Sequence, residues 1–125
     1  MDAIRHLWDE SLGAAAWSGK EVWVHGDLLA GNLIVQERRL HAVIDWGTLN
    51  VGDPTCDLLA AWNVFSGSSR AVYLETLAVD DDTWLRGRGW AIYQAVLALP
   101  YYRDTNPRMV RQATRALEEV IADSR

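Results

Sequence analysis

The chain has one cysteine, Cys56, and one lysine, Lys20, among its 125 residues. A single thiol cannot close an internal disulfide, so the core must hold the fold, and such sparing use suits a reducing compartment. Long apolar runs are missing too: none approaches the roughly 18 residues needed to cross a bilayer. The N-terminus carries Asp2, Asp9 and Glu10 where a secretory leader would be apolar. Positive charge is also scarce. The formal net charge is −5, which argues against nucleic acid as the main partner, because phosphate-backbone binding relies on Lys and Arg. The expectation is a cytoplasmic, single-domain chain over residues 1–125 with no membrane and no nucleic-acid partner.

Apolar residues are abundant. Half the chain is hydrophobic and seven residues are Trp, enough for one sizeable core but not two. Ile4, Leu7, Trp8, Leu12 and Ala15 recur at helical spacing and predict an amphipathic helix to about Trp17. "EVWVH", "NLIVQ" and "LHAVIDW" read as short strands, the last two forming a hairpin around "ERR". Beyond Pro54 the pattern is helical: "PTCDLLAAWNVF", "SRAVYLETLAV", and a long segment from the acidic run Asp80–Asp82 to about Pro100. Gly87 and Gly89 either loosen that segment or let another element come close. Asn106 and Pro107 then open a last helix with a Val110, Ala113, Leu117, Ile121 stripe. The fold class expected is α+β, mostly helical, with a short β-hairpin.

The chemistry sits in "VHGDLLAGNLIVQERRLHAVIDWG". The midpoint of Asn32 and Asp45 falls at the Arg38–Arg39 turn, so the two residues are expected to face each other at the open end of the hairpin. Asp27 enters the same end five residues before Asn32. Singly, each of the three is an ordinary loop-capping or turn residue. Together they form a hard-oxygen donor set suited to Mg²⁺, with one carboxylate left to accept a proton from a hydroxyl nucleophile. Such parts serve phosphoryl transfer.

The spacing of "HGDLLAGN" followed by "IDWG" matches the protein-kinase H-R-D…N, D-F-G pattern. With "GDPTCDLLAAW" and "RGRGWAIYQAVLALPYYRDTNP", the chain resembles the aminoglycoside phosphotransferase and choline kinase-like family. The resemblance implies a protein kinase-like fold and ATP- or GTP-dependent transfer to a small-molecule hydroxyl, such as that of an aminoglycoside antibiotic. It implies Asp27 as catalytic base, Asn32 and Asp45 as Mg²⁺ ligands, and Asp57 as a support for the catalytic loop. His25 becomes structural. Trp62, Asp80, Asp81, Trp90 and Gln94 are candidates to line the acceptor site. Core packing equally explains the aromatic residues among them, and helix capping explains the acids.

The pattern departs from the family at Leu29, where many members carry His. It also covers only the C-terminal lobe: no Lys-bearing strand precedes "HGD", and Lys20 lies five residues before His25. A missing N-terminal nucleotide lobe is therefore expected, with an exposed apolar lobe interface open to self-association and a chain inactive alone. The alternative is a folded, non-catalytic remnant acting as a binding module. A metallophosphoesterase reading of "GDLLAGN" fails on ligands, since His6, His25 and His41 are the only histidines and no downstream cluster accompanies them.

Overall fold

A 22-residue helix, Asp81–Tyr102, organises the protein, and the other helices pack around it. The computed structural model describes residues 2–123. In chain order the elements are α1 (Asp2–Leu12), β1 (Val22–Val24), a 3-10 turn (Ala30–Asn32), β2 (Leu33–Gln36), β3 (Arg39–Val43) and β4 (Asn50–Gly52). A 3-10 helix (Pro54–Leu59) then runs into the single turn α2 (Ala60–Asn63), followed by α3 (Gly67–Leu77), α4 (Asp81–Tyr102) and α5 (Pro107–Ala122). This is the mostly helical α+β fold expected. No helix among the described residues is long and apolar enough to cross a membrane.

Several boundaries differ from the sequence expectation. α1 stops at Leu12 rather than Trp17, because the following chain finds other partners. The Gly13 N–H bonds back to Asp9 and Glu10, the Ala15 N–H goes to Asp82 Oδ1 at 3.0 Å, and the Ala15 carbonyl accepts from the Arg86 guanidinium. Residues 14–17 thus form a strap tied to the start of α4. α4 runs past Pro100 to Tyr102. Proline removes one hydrogen bond and crowds the preceding turn, a disruption confined here to the last helical turn. On α5 the buried residues are Ala113, Ala116 and Val120, while Ile121 of the expected stripe is exposed. Ala113 and Ala116 meet Ala95 and Ala98 of α4, so small residues set the contact face and the larger ones turn to its flanks.

The main core gathers Leu59, Trp62, Leu74, Trp84, Ile92 and Val120. Trp62 and Trp84 stack obliquely with ring centroids 4.3 Å apart. Among the described residues the two buried guanidinium groups are each paired. Arg88, with 0% exposure, donates to Glu10 Oε2 at 2.9 Å and to Ser11 Oγ and the Leu7 carbonyl at 3.3 Å, fastening α4 to α1. Arg70 bonds the Ala61 carbonyl at 2.9 Å and pairs with Glu119, joining α3, α2 and α5. Gly87 resolves its two readings in favour of close approach. A Cβ there would lie 2.7 Å from Leu58 Cβ, so the missing side chain lets α4 seat against the Pro54–Leu59 helix.

The strands form two separate antiparallel pairs, β1 with β4 and β2 with β3. The hairpin turns at Glu37 and Arg38, both at positive φ (50° and 63°), and a bulge falls between Ile34 and Val35. The pairs are Gln36 with Arg39 and Leu33 with Val43. The Ile44 N–H therefore donates to the Asn32 carbonyl at 2.9 Å. Asn32 stands opposite Ile44, and Asp45 lies one residue beyond the position the midpoint argument gave it. The turn sits one residue earlier than expected, and the bulge only partly offsets that shift.

Candidate functional site

β1 carries the chain into the loop at His25, which is buried at 3% exposure. Gly26 follows at φ +85°, and a Cβ there would come within 2.9 Å of the Thr48 carbonyl oxygen. Only glycine meets both demands without strain. The turn is held from outside by Asp57 on the 3-10 helix: Oδ2 accepts the His25 N–H and Oδ1 the Gly26 N–H, each at 2.8 Å. Thr48 Oγ1 donates to the His25 carbonyl at 2.7 Å. The imidazole bridges two segments, its Nδ1 accepting the Asp27 N–H at 3.1 Å while Nε2 lies 2.8 Å from the Ile44 carbonyl. An acceptor at Nδ1 and a carbonyl at Nε2 require the Nε2–H tautomer. His25 therefore ties the start of Asp27 to the strand end that delivers Asp45, and Trp46 packs edge-on against it at 4.7 Å.

Within this frame Asp27 and Asn32 meet. Asn32 Nδ2 donates to the Asp27 main-chain carbonyl at 2.8 Å and to its carboxylate Oδ2 at 3.0 Å. The amide hydrogens are committed to Asp27, so the Asn32 side-chain oxygen is the atom left to accept. Asp45 is exposed and sits at φ 60°, directly after the residue that pairs with Asn32. Among the described residues no three His, Cys, Asp or Glu side chains form a metal cluster. The candidate donors are the Asn32 amide oxygen and the Asp45 carboxylate, with the Asp27 carboxylate bonded to Asn32. Such hard donors fit Mg²⁺, which takes few protein ligands and fills its shell with water and phosphate.

The other sequence candidates separate. Asp27 opens onto a cleft of about 430 Å³ whose walls include Leu29, Gln94, Leu97, Tyr101 and Met109. Gln94 therefore shares a cleft with Asp27. Trp90, one turn earlier on α4, lines a neighbouring cavity with Gly26, Thr48, Asp53 and Cys56. Trp62 is corrected: with 0% exposure it is a core residue, its Nε1–H directed to Asp123 at 3.3 Å, and it presents no surface to a ligand. Asp80 caps α4, accepting the Thr83 N–H at 2.7 Å, and lines a separate cavity with Asp57 and Tyr73. Asp81 is exposed in the first turn of α4. About 13 residues of helix separate Asp81 from Gln94, or roughly 20 Å at the α-helical rise, so these acids do not rim the Asp27 cleft.

Sequence reasoning passed over Leu97, Tyr101 and Met109. The signal was present in part: Gln94, Leu97 and Tyr101 are spaced for one helix face, but only tertiary packing turns that face toward Asp27. Asp53 caps the 3-10 helix, Oδ1 accepting the Thr55 N–H at 3.0 Å. Its Oδ2 also pairs with Arg86 Nε at 3.0 Å, which links the helix bearing Asp57 to α4. Burial, reinforced by Asp57 and Asp53, pushes the Cys56 thiol up to about 11. Burial and Asp57 raise the Tyr73 phenol to about 12. The Thr83 backbone hydrogen bond holds Asp80 below the usual aspartate value.

No curated protein sequence matches the chain. Among solved structures it is similar to ADP-bound aminoglycoside phosphotransferase APH(2'')-Ib, with 22% identity and a TM-score of 0.52 over 95% of this chain. It is also similar to APH(2'')-IIa in complex with gentamicin, with 23% identity and a TM-score of 0.51 over 96% of this chain. At that identity the likeness speaks to the fold, which is the kinase-like one of these enzymes. The chain spans 45% and 44% of the two solved chains. The family model described as "Phosphotransferase enzyme family" (APH) matches residues 1–96, a stretch that contains the Asp57-braced loop, Asn32 and Asp45, and the chain belongs to that family.

Proposed function

We propose that this protein supplies the catalytic half of a kinase that transfers the γ-phosphoryl of ATP or GTP to a hydroxyl of a small molecule. The observation that carries this reading is the direct Asn32–Asp27 contact at the mouth of a cleft, in a loop locked by Asp57. Asp27 is the base: its carboxylate faces the acceptor cleft and takes the proton as the hydroxyl oxygen attacks phosphorus. Asn32 and Asp45 would hold Mg²⁺, which when bound neutralises charge on the phosphate oxygens. His25 and Asp57 do no proton transfer; they keep Asp27 aimed.

We assign the nucleotide-binding lobe to polypeptide outside these 125 residues, and so expect the chain to be inactive alone. The share of the solved chains it spans supports this, as does the position of its one lysine. Ile34, Val35 and Leu40 on the hairpin are exposed apolar side chains suited to that lobe, and without it they would favour self-association.

In a polypeptide carrying both lobes, Asp27→Ala should lower transfer from MgATP by about 10²–10⁴ while leaving the fold intact. Turnover within about tenfold of the parent would remove Asp27 from the base role. The 125-residue chain alone should show no micromolar MgATP binding.

A further inference from the structure

We infer that the cleft beside Asp27 accepts a neutral hydroxyl compound with an apolar or aromatic body, rather than a polycation of the gentamicin kind. This deepens the phosphotransfer reading and rests on it for the identity of the cleft. The argument begins with the lining. Leu29, Leu97, Ala98 and Met109 are apolar, Tyr101 and Tyr102 add aromatic rings with neutral hydroxyls, and the remaining lining residues described are Asp27 and Gln94. Tyr101 and Tyr102 stand edge to face at 4.7 Å, and Tyr101 is 75% exposed, offering ring surface at the mouth.

A polyamine entering such a cleft would need a carboxylate for each ammonium group it desolvates. Among the described residues Asp27 is the one carboxylate lining it, and it is already engaged by Asn32 and reserved for the reacting hydroxyl. The acids at the start of α4 cannot substitute: Asp80, Asp81 and Asp82 all lie at the far end of the helix, where Asp80 also accepts the Thr83 N–H and Asp82 the Ala15 N–H. In the connection from α4 into α5 Arg103 and Asp104 balance one another, and Arg108 adds a positive charge in the first turn of α5. Arg108 also stands over the loop, its Nη2 3.5 Å from where a Gly31 Cβ would lie. Gln94 offers one amide that both donates and accepts, which suits orienting a neutral hydroxyl or carbonyl. An apolar wall with one or two polar groups is the usual make-up of a small-molecule site.

The test is NMR titration of the 125-residue chain, without nucleotide or metal, with two probes: 2-phenylethanol and gentamicin. 2-Phenylethanol should shift the Gln94 side-chain amide, the Tyr101 ring and the Met109 methyl, and gentamicin at equal concentration should leave them in place. Tyr101→Ala, at a largely exposed position, should weaken 2-phenylethanol binding at least fivefold while leaving the unfolding midpoint close to that of the parent. Gln94→Glu adds a second carboxylate and should strengthen gentamicin binding at least fivefold. The inference is overturned if gentamicin shifts those signals at lower concentration than 2-phenylethanol, or if neither probe shifts them. Because no phosphoryl donor is present, this outcome is independent of the Asp27→Ala transfer assay, so either reading can fail without the other.

Discussion

Asp57 grips His25 across 32 positions of chain, its Oδ2 accepting the His25 N–H at 2.8 Å while Oδ1 takes the next amide, that of Gly26. One carboxylate thereby fixes two consecutive amides of the loop that presents Asp27. The 3-10 helix supporting it is capped by Asp53 and seated against the glycine side of α4.

Removing that grip should be costly. Asp57→Ala leaves the two amides without their acceptor, and hydrogen bonds to a charged group contribute about 1.5–3 kcal/mol each. Urea unfolding should show a loss of about 3 kcal/mol, with Asp57→Asn intermediate because its amide keeps one acceptor oxygen. A loss below about 1 kcal/mol for the alanine variant would mean the loop holds its shape by other contacts.

The two tryptophans once grouped as acceptor-site candidates should behave differently. Trp62 is fully enclosed against Trp84, so Trp62→Ala should lose about 3–5 kcal/mol of stability. Trp90 is 43% exposed, and Trp90→Ala should lose clearly less in the same denaturant titration. Equal losses would contradict the burial described above.

Cys56 offers a pH-dependent reporter of the same region. Its thiol is raised from 9.0 to about 11, first by burial and then by Asp57 and Asp53. The folded state therefore holds the proton more tightly than the unfolded one. Its contribution to stability is complete below the ordinary thiol value and is lost as pH rises through about 11. Because the thiolate is the nucleophile, iodoacetamide at about pH 8 should alkylate Cys56 roughly a hundredfold more slowly in the folded chain than in guanidinium. The folded-state rate should climb about tenfold per pH unit up to about pH 10. A folded-state rate that levels off near the ordinary thiol value would show that partial burial and the neighbouring acids do not raise the thiol.

Much of the local structure was legible. Asn106 before Pro107, and Asp80 before the long helix, marked helix starts that the structure bears out, because a short polar side chain can accept the first orphan N–H groups using only neighbouring residues. The mixed, mostly helical class and the hairpin followed in the same way, from apolar periodicity and turn residues. The hairpin register did not. A turn at Glu37–Arg38 and a bulge at Ile34–Val35 moved the pairing by one residue, and spacing alone does not reveal a bulge.

The candidate site divides along the same line. The sequence by itself determined which side chains are brought to it, since Asp27 and Asn32 lie within one short loop and must meet through local geometry. It also determined the family, through residue types at defined spacing. Tertiary structure alone decided the environment: that Asp57 brackets His25 and Gly26, that Trp62 is core, that Asp80 and Asp82 serve the start of α4, and that Gln94 and Tyr101 wall the Asp27 cleft. Helical periodicity shows which residues share a face. What that face meets depends on contacts between segments far apart in the chain, and here the close seating of α4 at Gly87 and the ion pair of its buried Arg88 with Glu10 set the direction in which the helix points.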